Sequence, residues 1–317
     1  MTGVAVVFPG QGSQYPGMAD AWSEHPAGND LLKRASVILG WDVVETSRDP
    51  DALSRTDIVQ PAVFACDLAA FAVLRAEGVP CDVAAGHSLG EYAALVASGA
   101  VELEPGLSAL AARAQAMAQA SDANPGTMTA IMGLSLDEAR EVCEVAGRGD
   151  TLAVANENAP KQTVLSGSLA AITRAEELAR SRGAKAVRLQ VAGAFHSPLM
   201  APAVQPVREA LSRIHFAVPE FPVIPNASGK PTTQPLVVRD LLSRHLVSAV
   251  RWDQTMRAMA DMGVGVVIEA GPGEVLGKLA RRALPEAIVR SVGSPAQMAE
   301  VAALLRDGGE ARRSEGA

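Results

Sequence analysis

Gly86-His87-Ser88-Leu89-Gly90 sets a serine between two glycines at the Gly-x-Ser-x-Gly spacing of a nucleophile elbow. A sharp strand-to-helix turn lifts such a hydroxyl above a sheet edge, and only small residues two positions away let the backbones approach. The amide that follows, that of Leu89, then stands at a helix N-terminus and can donate to a developing oxyanion. By itself the spacing is a moderate signal, since glycine and serine also build plain turns. The short apolar run from Cys81 to Ala85 and the helical pattern from Glu91 onward supply the strand–turn–helix setting.

A serine needs a base to take its proton, and five histidines are available. His25 and His215 lie in polar or irregular segments and read as surface residues. His87 adjoins the serine, but neighbours on a sharp turn point apart, so it reads as a packed residue at the pocket. His245 sits in a helical pattern and is ambiguous. His196 follows a strand and precedes the helix-starting Ser197-Pro198, which brings it over the sheet edge. The alternative for His196 is a cap on the helix after it.

Two more features bear on chemistry. Pro9-Gly10-Gln11-Gly12-Ser13-Gln14 lacks the Lys-Ser/Thr ending of a P-loop and the third glycine of a dinucleotide fingerprint. It reads instead as a second backbone donor for an oxyanion, at Gln11. Arg113 lies in an apolar, alanine-rich helical stretch from Leu107 to Ala120. An unpaired buried charge is costly, so the guanidinium either snorkels to water or grips a substrate carboxylate through its two-pronged edge.

The elements that must position these residues alternate. Val4 to Phe8 is a β-branched run leading into the glycine loop, and Ile58 to Arg75 repeats apolar residues at helical spacing. Val223–Ile224 and Val264–Ala270 resume the strand pattern, which implies a mostly parallel sheet covered by helices. The middle differs. Strands at Thr129–Leu134, Thr151–Ala155, Thr163–Ser166 and Ala186–Gln190, with helices from Ser135 and over Ala170–Arg182, follow the order β-α-β-β-α-β of a split βαβ pair. The expected division is a discontinuous large domain, 1–126 and 193–305, interrupted by a small one at 127–192. Residues 306–317 read as a loose tail.

Composition narrows the class. The chain has 317 residues, 48% hydrophobic and 20% charged, as in a soluble globular enzyme. A formal net charge of −7 argues against nucleic-acid binding, which uses basic faces. No apolar run is expected to reach the roughly 18–20 residues that span a bilayer, and the N-terminus lacks the basic start of a signal peptide. Three cysteines with no CxxC pair point to a reducing, cytoplasmic setting without a metal cluster. A monomer is the default.

Four motifs in order, Phe8 to Gln14, Gly86 to Tyr92, Gly193 to Pro198 and Glu269 to Gly273, resemble those of malonyl-CoA:acyl carrier protein transacylases. The same family includes the acyltransferases of polyketide synthases, and the resemblance covers about residues 3 to 300. It implies an α/β-hydrolase-like large domain with an inserted ferredoxin-like (βαββαβ) small domain. By position, Ser88 would be the nucleophile, His196 the base, Arg113 the carboxylate grip, and the amides of Gln11 and Leu89 the oxyanion hole. Malonyl would pass from coenzyme A to the phosphopantetheine thiol of an acyl carrier protein, in fatty acid or polyketide biosynthesis, with no bound cofactor. Phe195 and Leu89 resemble the malonyl-selecting versions. His245 departs from the family pattern of glutamine or asparagine there, a residue used largely through its carbonyl. Carrier proteins are usually acidic, so arginines and lysines are expected near the Ser88 entrance. A thioester hydrolase would use the same serine and histidine, though Arg113 weighs against it. A non-catalytic docking module would not need the pair.

Overall fold

The computed structural model describes residues 3–314, with side chains as far as residue 305. Its strands are β1 (Gly3–Phe8), β2 (Val83–Gly86), β3 (Thr127–Met132), β4 (Leu152–Ala159), β5 (Gln162–Gly167), β6 (Lys185–Arg188), β7 (Val223–Ile224), β8 (Val264–Ala270) and β9 (Ile288–Val292). Along β1, Val4, Val6 and Phe8 enter one apolar cluster, while Ala5 and Val7 enter another. A strand apolar on both sides has to be covered on both. β1 is accordingly the middle strand of a five-stranded sheet in the order β7-β2-β1-β8-β9, parallel at every pairing. The chain passes from β1 to β2 on one side and later reaches β8 on the other. Open α/β sheets bind ligands at the carboxyl ends beside such a reversal.

The helix Thr56–Ala76 packs into the larger core, with Val63, Phe64, Cys66 and Leu74 fully buried. It corrects one expectation: among the described residues it is long and apolar enough to cross a bilayer, and 83% of its apolar window is buried inside the protein.

β3 to β6 form a separate antiparallel sheet in the order β4-β5-β3-β6. Its helices Leu136–Gly147 and Leu169–Ser181 cover a third apolar cluster that includes Ile131, Val142, Leu165 and Ile172. Ser135 begins the first helix with a capping box closed by Glu138. β3 stops two residues earlier than the sequence pattern suggests, because Gly133 turns the chain at φ +110°. The segment before the helix Trp252–Asp261 is tied to β4 where the Val250 amide donates to Ala155 and its carbonyl accepts from Glu157, both at 2.8 Å. The final helix, Pro295–Ser314, runs on where a loose tail is expected. Residues 315–317 lie outside the described residues.

Candidate active site

The elbow is built by close packing. A Cβ on Gly86 would lie 1.9 Å from the backbone of Gly90, and one on Gly90 would lie 2.2 Å from the Phe8 carbonyl oxygen. Neither position admits a side chain. Ser88 between them adopts φ +55°, a left-handed conformation that costs a non-glycine residue on the order of 1–3 kcal/mol. The glycine loop after β1 leans on the same turn, for a Cβ on Gly10 would meet the His87 carbonyl at 2.5 Å.

His196 reaches the elbow from a loop 108 residues away, with its Nε2 2.8 Å from Ser88 Oγ. Its Nδ1 faces two carbonyl oxygens, those of His245 at 3.1 Å and Ser248 at 3.2 Å. Carbonyls only accept, so Nδ1 carries the proton and Nε2 is left to accept from the serine hydroxyl. Two main-chain carbonyls thus orient the ring where a carboxylate often does. Burial, followed by the nearby charge of Arg113, brings the His196 pKa down to about 3, against the opposing pull of the two carbonyls. The ring is therefore neutral at neutral pH and free to take a proton. Ser197, rather than His196, caps the turn that follows, its Oγ accepting from the Leu199 amide at 3.3 Å. His196 itself holds φ +56°.

Arg113 does not snorkel. It is 1% exposed and directs Nη2 at Ser88 Oγ from 3.0 Å. Gln60, buried in the helix Thr56–Ala76, accepts from Nη1, while Nε has no partner. No carboxylate among the described residues lies within 4.0 Å of the guanidinium, although the Tyr92 ring lies 5.8 Å below it. Burial lowers the Arg113 pKa, yet guanidinium remains charged at any physiological pH. With Nη1 on Gln60 and Nη2 on the Ser88 hydroxyl, Nε is the donor left without a partner. The Nε and Nη2 edge has the shape that matches a carboxylate once one replaces the serine contact.

The other expected residues are placed as follows. The amides of Gln11 and Leu89 have no acceptor among the described residues, and the Gln11 side chain accepts from Gln60 at 3.4 Å. His87 turns to Asn158 on β4, at 3.1 Å, and stacks at a tilt on Trp252. Burial brings its pKa down to about 4, against the Asn158 bond. Phe195 is 6% exposed within the larger core cluster. His245 is fully buried, its ring 4.9 Å from that of His196. His25 caps the helix Pro26–Leu39, and His215 is exposed. Glu269 accepts from the Leu276 and Gly277 amides, so its motif anchors a helix N-terminus.

Sequence reasoning missed four residues. Asn226, after β7, accepts from the Ser88 amide at 2.8 Å and donates to the Gly86 carbonyl at 2.6 Å, clamping the elbow from below. Glu91 accepts from the Asn226 amide at 3.0 Å. Gln60 holds Arg113, and Asn158 holds His87. Two signals were available: a glutamine inside an apolar helix, and an asparagine at the carboxyl end of a parallel strand.

A hydroxyl paired with a neutral imidazole, two free amides and a buried guanidinium can together carry a nucleophilic acyl transfer. Residues 5–315 match the acyl transferase domain family. This chain belongs to that family and is an acyltransferase. It is 36% identical over 307 residues to a malonyl CoA-acyl carrier protein transacylase of Haemophilus influenzae, covering 95% of this chain and 98% of that one. The enzyme of the same name from Escherichia coli is 35% identical over 304 residues, covering 94% and 98%. An acyl-carrier-protein S-malonyltransferase structure from Burkholderia pseudomallei superposes with a TM-score of 0.90 at 38% identity, covering 95% and 99%.

Proposed function

We propose that this enzyme moves a malonyl group from malonyl-CoA to the phosphopantetheine thiol of an acyl carrier protein through an ester on Ser88. The observation that carries the reading is the buried Arg113 guanidinium, which has no carboxylate partner among the described residues and keeps Nε unpaired. It stands 3.0 Å from the serine hydroxyl that His196 also holds. The names of the relatives support the same substrates.

His196 Nε2 takes the Ser88 proton as Oγ bonds to the thioester carbon. The resulting oxyanion sits between the amides of Gln11 and Leu89. The carbon–sulfur bond then breaks, and coenzyme A leaves with the proton from His196. In the second half the carrier thiol gives its proton to His196 and attacks the ester, and Ser88 recovers its hydrogen. The two half-reactions make the kinetics ping-pong. Arg113 holds the free carboxylate throughout, which favours a dicarboxylic acyl group over a simple one. Phe195 narrows the space at the α-carbon, a selection worth only about 1–3 kcal/mol against one extra methyl.

The parallel sheet with its helices, 1–126 and 193–305, corresponds to an α/β-hydrolase-like domain, and 127–192 to a ferredoxin-like insert. Arg244 and Arg251 line a 290 Å³ pocket together with Ser248, whose carbonyl holds His196. They are the basic groups suited to an acidic carrier protein.

Intact-mass spectrometry tests the assignment. Malonyl-CoA should leave a malonyl adduct that Ser88→Ala abolishes and that a phosphopantetheinylated carrier removes. An adduct lost only to water would make the enzyme a hydrolase.

A further inference from the structure

Glu91 and His245 are buried ionisable groups that the transfer scheme leaves unused. Glu91 is 3% exposed and His245 0%. Glu91 Oε2 stands 3.6 Å from His245 Nδ1, about 0.4 Å beyond ordinary hydrogen-bond reach. Glu91 Oε1 and both ring nitrogens of His245 have no hydrogen-bond partner among the described residues. Orphaned polar atoms at full burial are uncommon, and three in one place point to a role. Each residue also leads to the reacting atoms. Glu91 accepts from Asn226, whose side chain accepts from the Ser88 amide. His245 presents its ring and its carbonyl to His196.

We propose that Glu91 and His245 act as a buried carboxyl–imidazole pair, which positions His196 and sets how readily it takes the Ser88 proton. The inference rests on the reading of Ser88 and His196 as nucleophile and base, and makes Glu91 and His245 positioning residues. Burial disfavours both charged forms, so the resting pair is a carboxyl group beside a neutral imidazole. Burial raises the Glu91 pKa to about 7, with the Asn226 amide and Arg113 opposing it. The His245 pKa is lowered by burial first, then by His196, Arg113 and His87. The remaining group facing the pair is Tyr92, on the same helix as Glu91. When His196 becomes an imidazolium, positive charge appears against the His245 ring. An ionised Glu91 stabilises that charge and a protonated one does not. Acylation of Ser88 therefore accelerates as pH rises through the ionisation of Glu91.

The test is rapid-quench mass spectrometry of the malonyl adduct from about pH 5 to about pH 9, on the full chain, for wild type, Glu91→Gln and His245→Gln. In wild type the rate should rise several-fold through a step near neutrality. Glu91→Gln keeps an acceptor for Asn226 and should still acylate, at the low-pH rate, with the step gone. His245→Gln should displace the step. A step unchanged in both variants, or a uniform loss at every pH, would overturn the proposal. If Glu91→Gln does not fold, an unmoved step in His245→Gln does so alone. Absence of any Ser88 adduct in wild type would instead refute the nucleophile reading.

Discussion

At the carboxyl edge of the parallel sheet, Arg113, Glu91, His196 and His245 are between 0% and 4% exposed, and the nearest opposite-charge approach among them is 3.6 Å. On the helices and turns that cover the antiparallel sheet, Arg174 meets Asp150 at 2.7 Å and Arg182 meets Glu141 at 3.1 Å, with all four side chains at least 30% exposed. Solvated pairs of that kind contribute little, about 0–1 kcal/mol each. The buried groups are different: Arg113 Nε, Glu91 Oε1 and both His245 ring nitrogens have no partner among the described residues, so their desolvation is only partly offset. Charge held out of water without a partner does not improve stability. It is useful for meeting a substrate charge or a proton that arrives only during reaction.

Arg113→Ala should break this contrast most severely. Loss of a buried guanidinium that meets a carboxylate costs about 3–5 kcal/mol, so malonyl adduct formation should collapse while acylation by acetyl-CoA does not fall in parallel. The measurement is the ratio of the two adducts by mass. A parallel fall of both would remove the carboxylate role.

Acid should come next. His87 and His196 have native pKa values of about 4 and about 3, both lowered chiefly by burial. The unfolded chain binds these protons near the ordinary value of about 6.5, and the native state does not. The contribution of these two histidines should therefore be full above about pH 6.5 and fall as pH drops toward 4. It outweighs the opposing contribution of Glu91, whose raised pKa favours the native state at the lower pH. Thermal melts across that range check it, and a flat Tm would contradict the burial argument.

Asn226→Ala removes an acceptor from Ser88 and a donor from Gly86, each worth about 1–3 kcal/mol when its partner is left buried. Tm and acylation rate should both drop, since the elbow holds a left-handed serine. An unchanged acylation rate would separate the clamp from the chemistry. The smallest effect belongs to Arg182→Ala. Its loss of the Glu141 pair should move stability by no more than about 1 kcal/mol, with transfer unaltered. A large loss there would blur the distinction between the two sheets.

The elbow was readable because its requirement is local. Gly86 and Gly90 are demanded by backbone contacts within the turn and with the adjacent strand, and the spacing records this. The strands Val223–Ile224 and Val264–Ala270 were readable for a similar reason, as short apolar runs. Arg113 stayed ambiguous, since a helix pattern does not say whether a face ends in water or in a cleft.

His196 had an open alternative until the loop placed its ring on Ser88 and gave the cap to Ser197. The end of the chain has the Gly-, Arg- and Glu-rich composition of a tail, and its backbone is helical as far as Ser314.

By itself, then, the sequence determined the alternation of elements, the strained serine turn and the set of residue types able to transfer an acyl group. These depend on neighbours a few positions apart. Only the tertiary structure decided which histidine meets the serine, that Asn226 supports it from 138 residues away, and that Glu91 and His245 lie together without solvent. Those facts follow from parallel strands ending at one edge, where side chains remote in the chain share a space from which water is excluded.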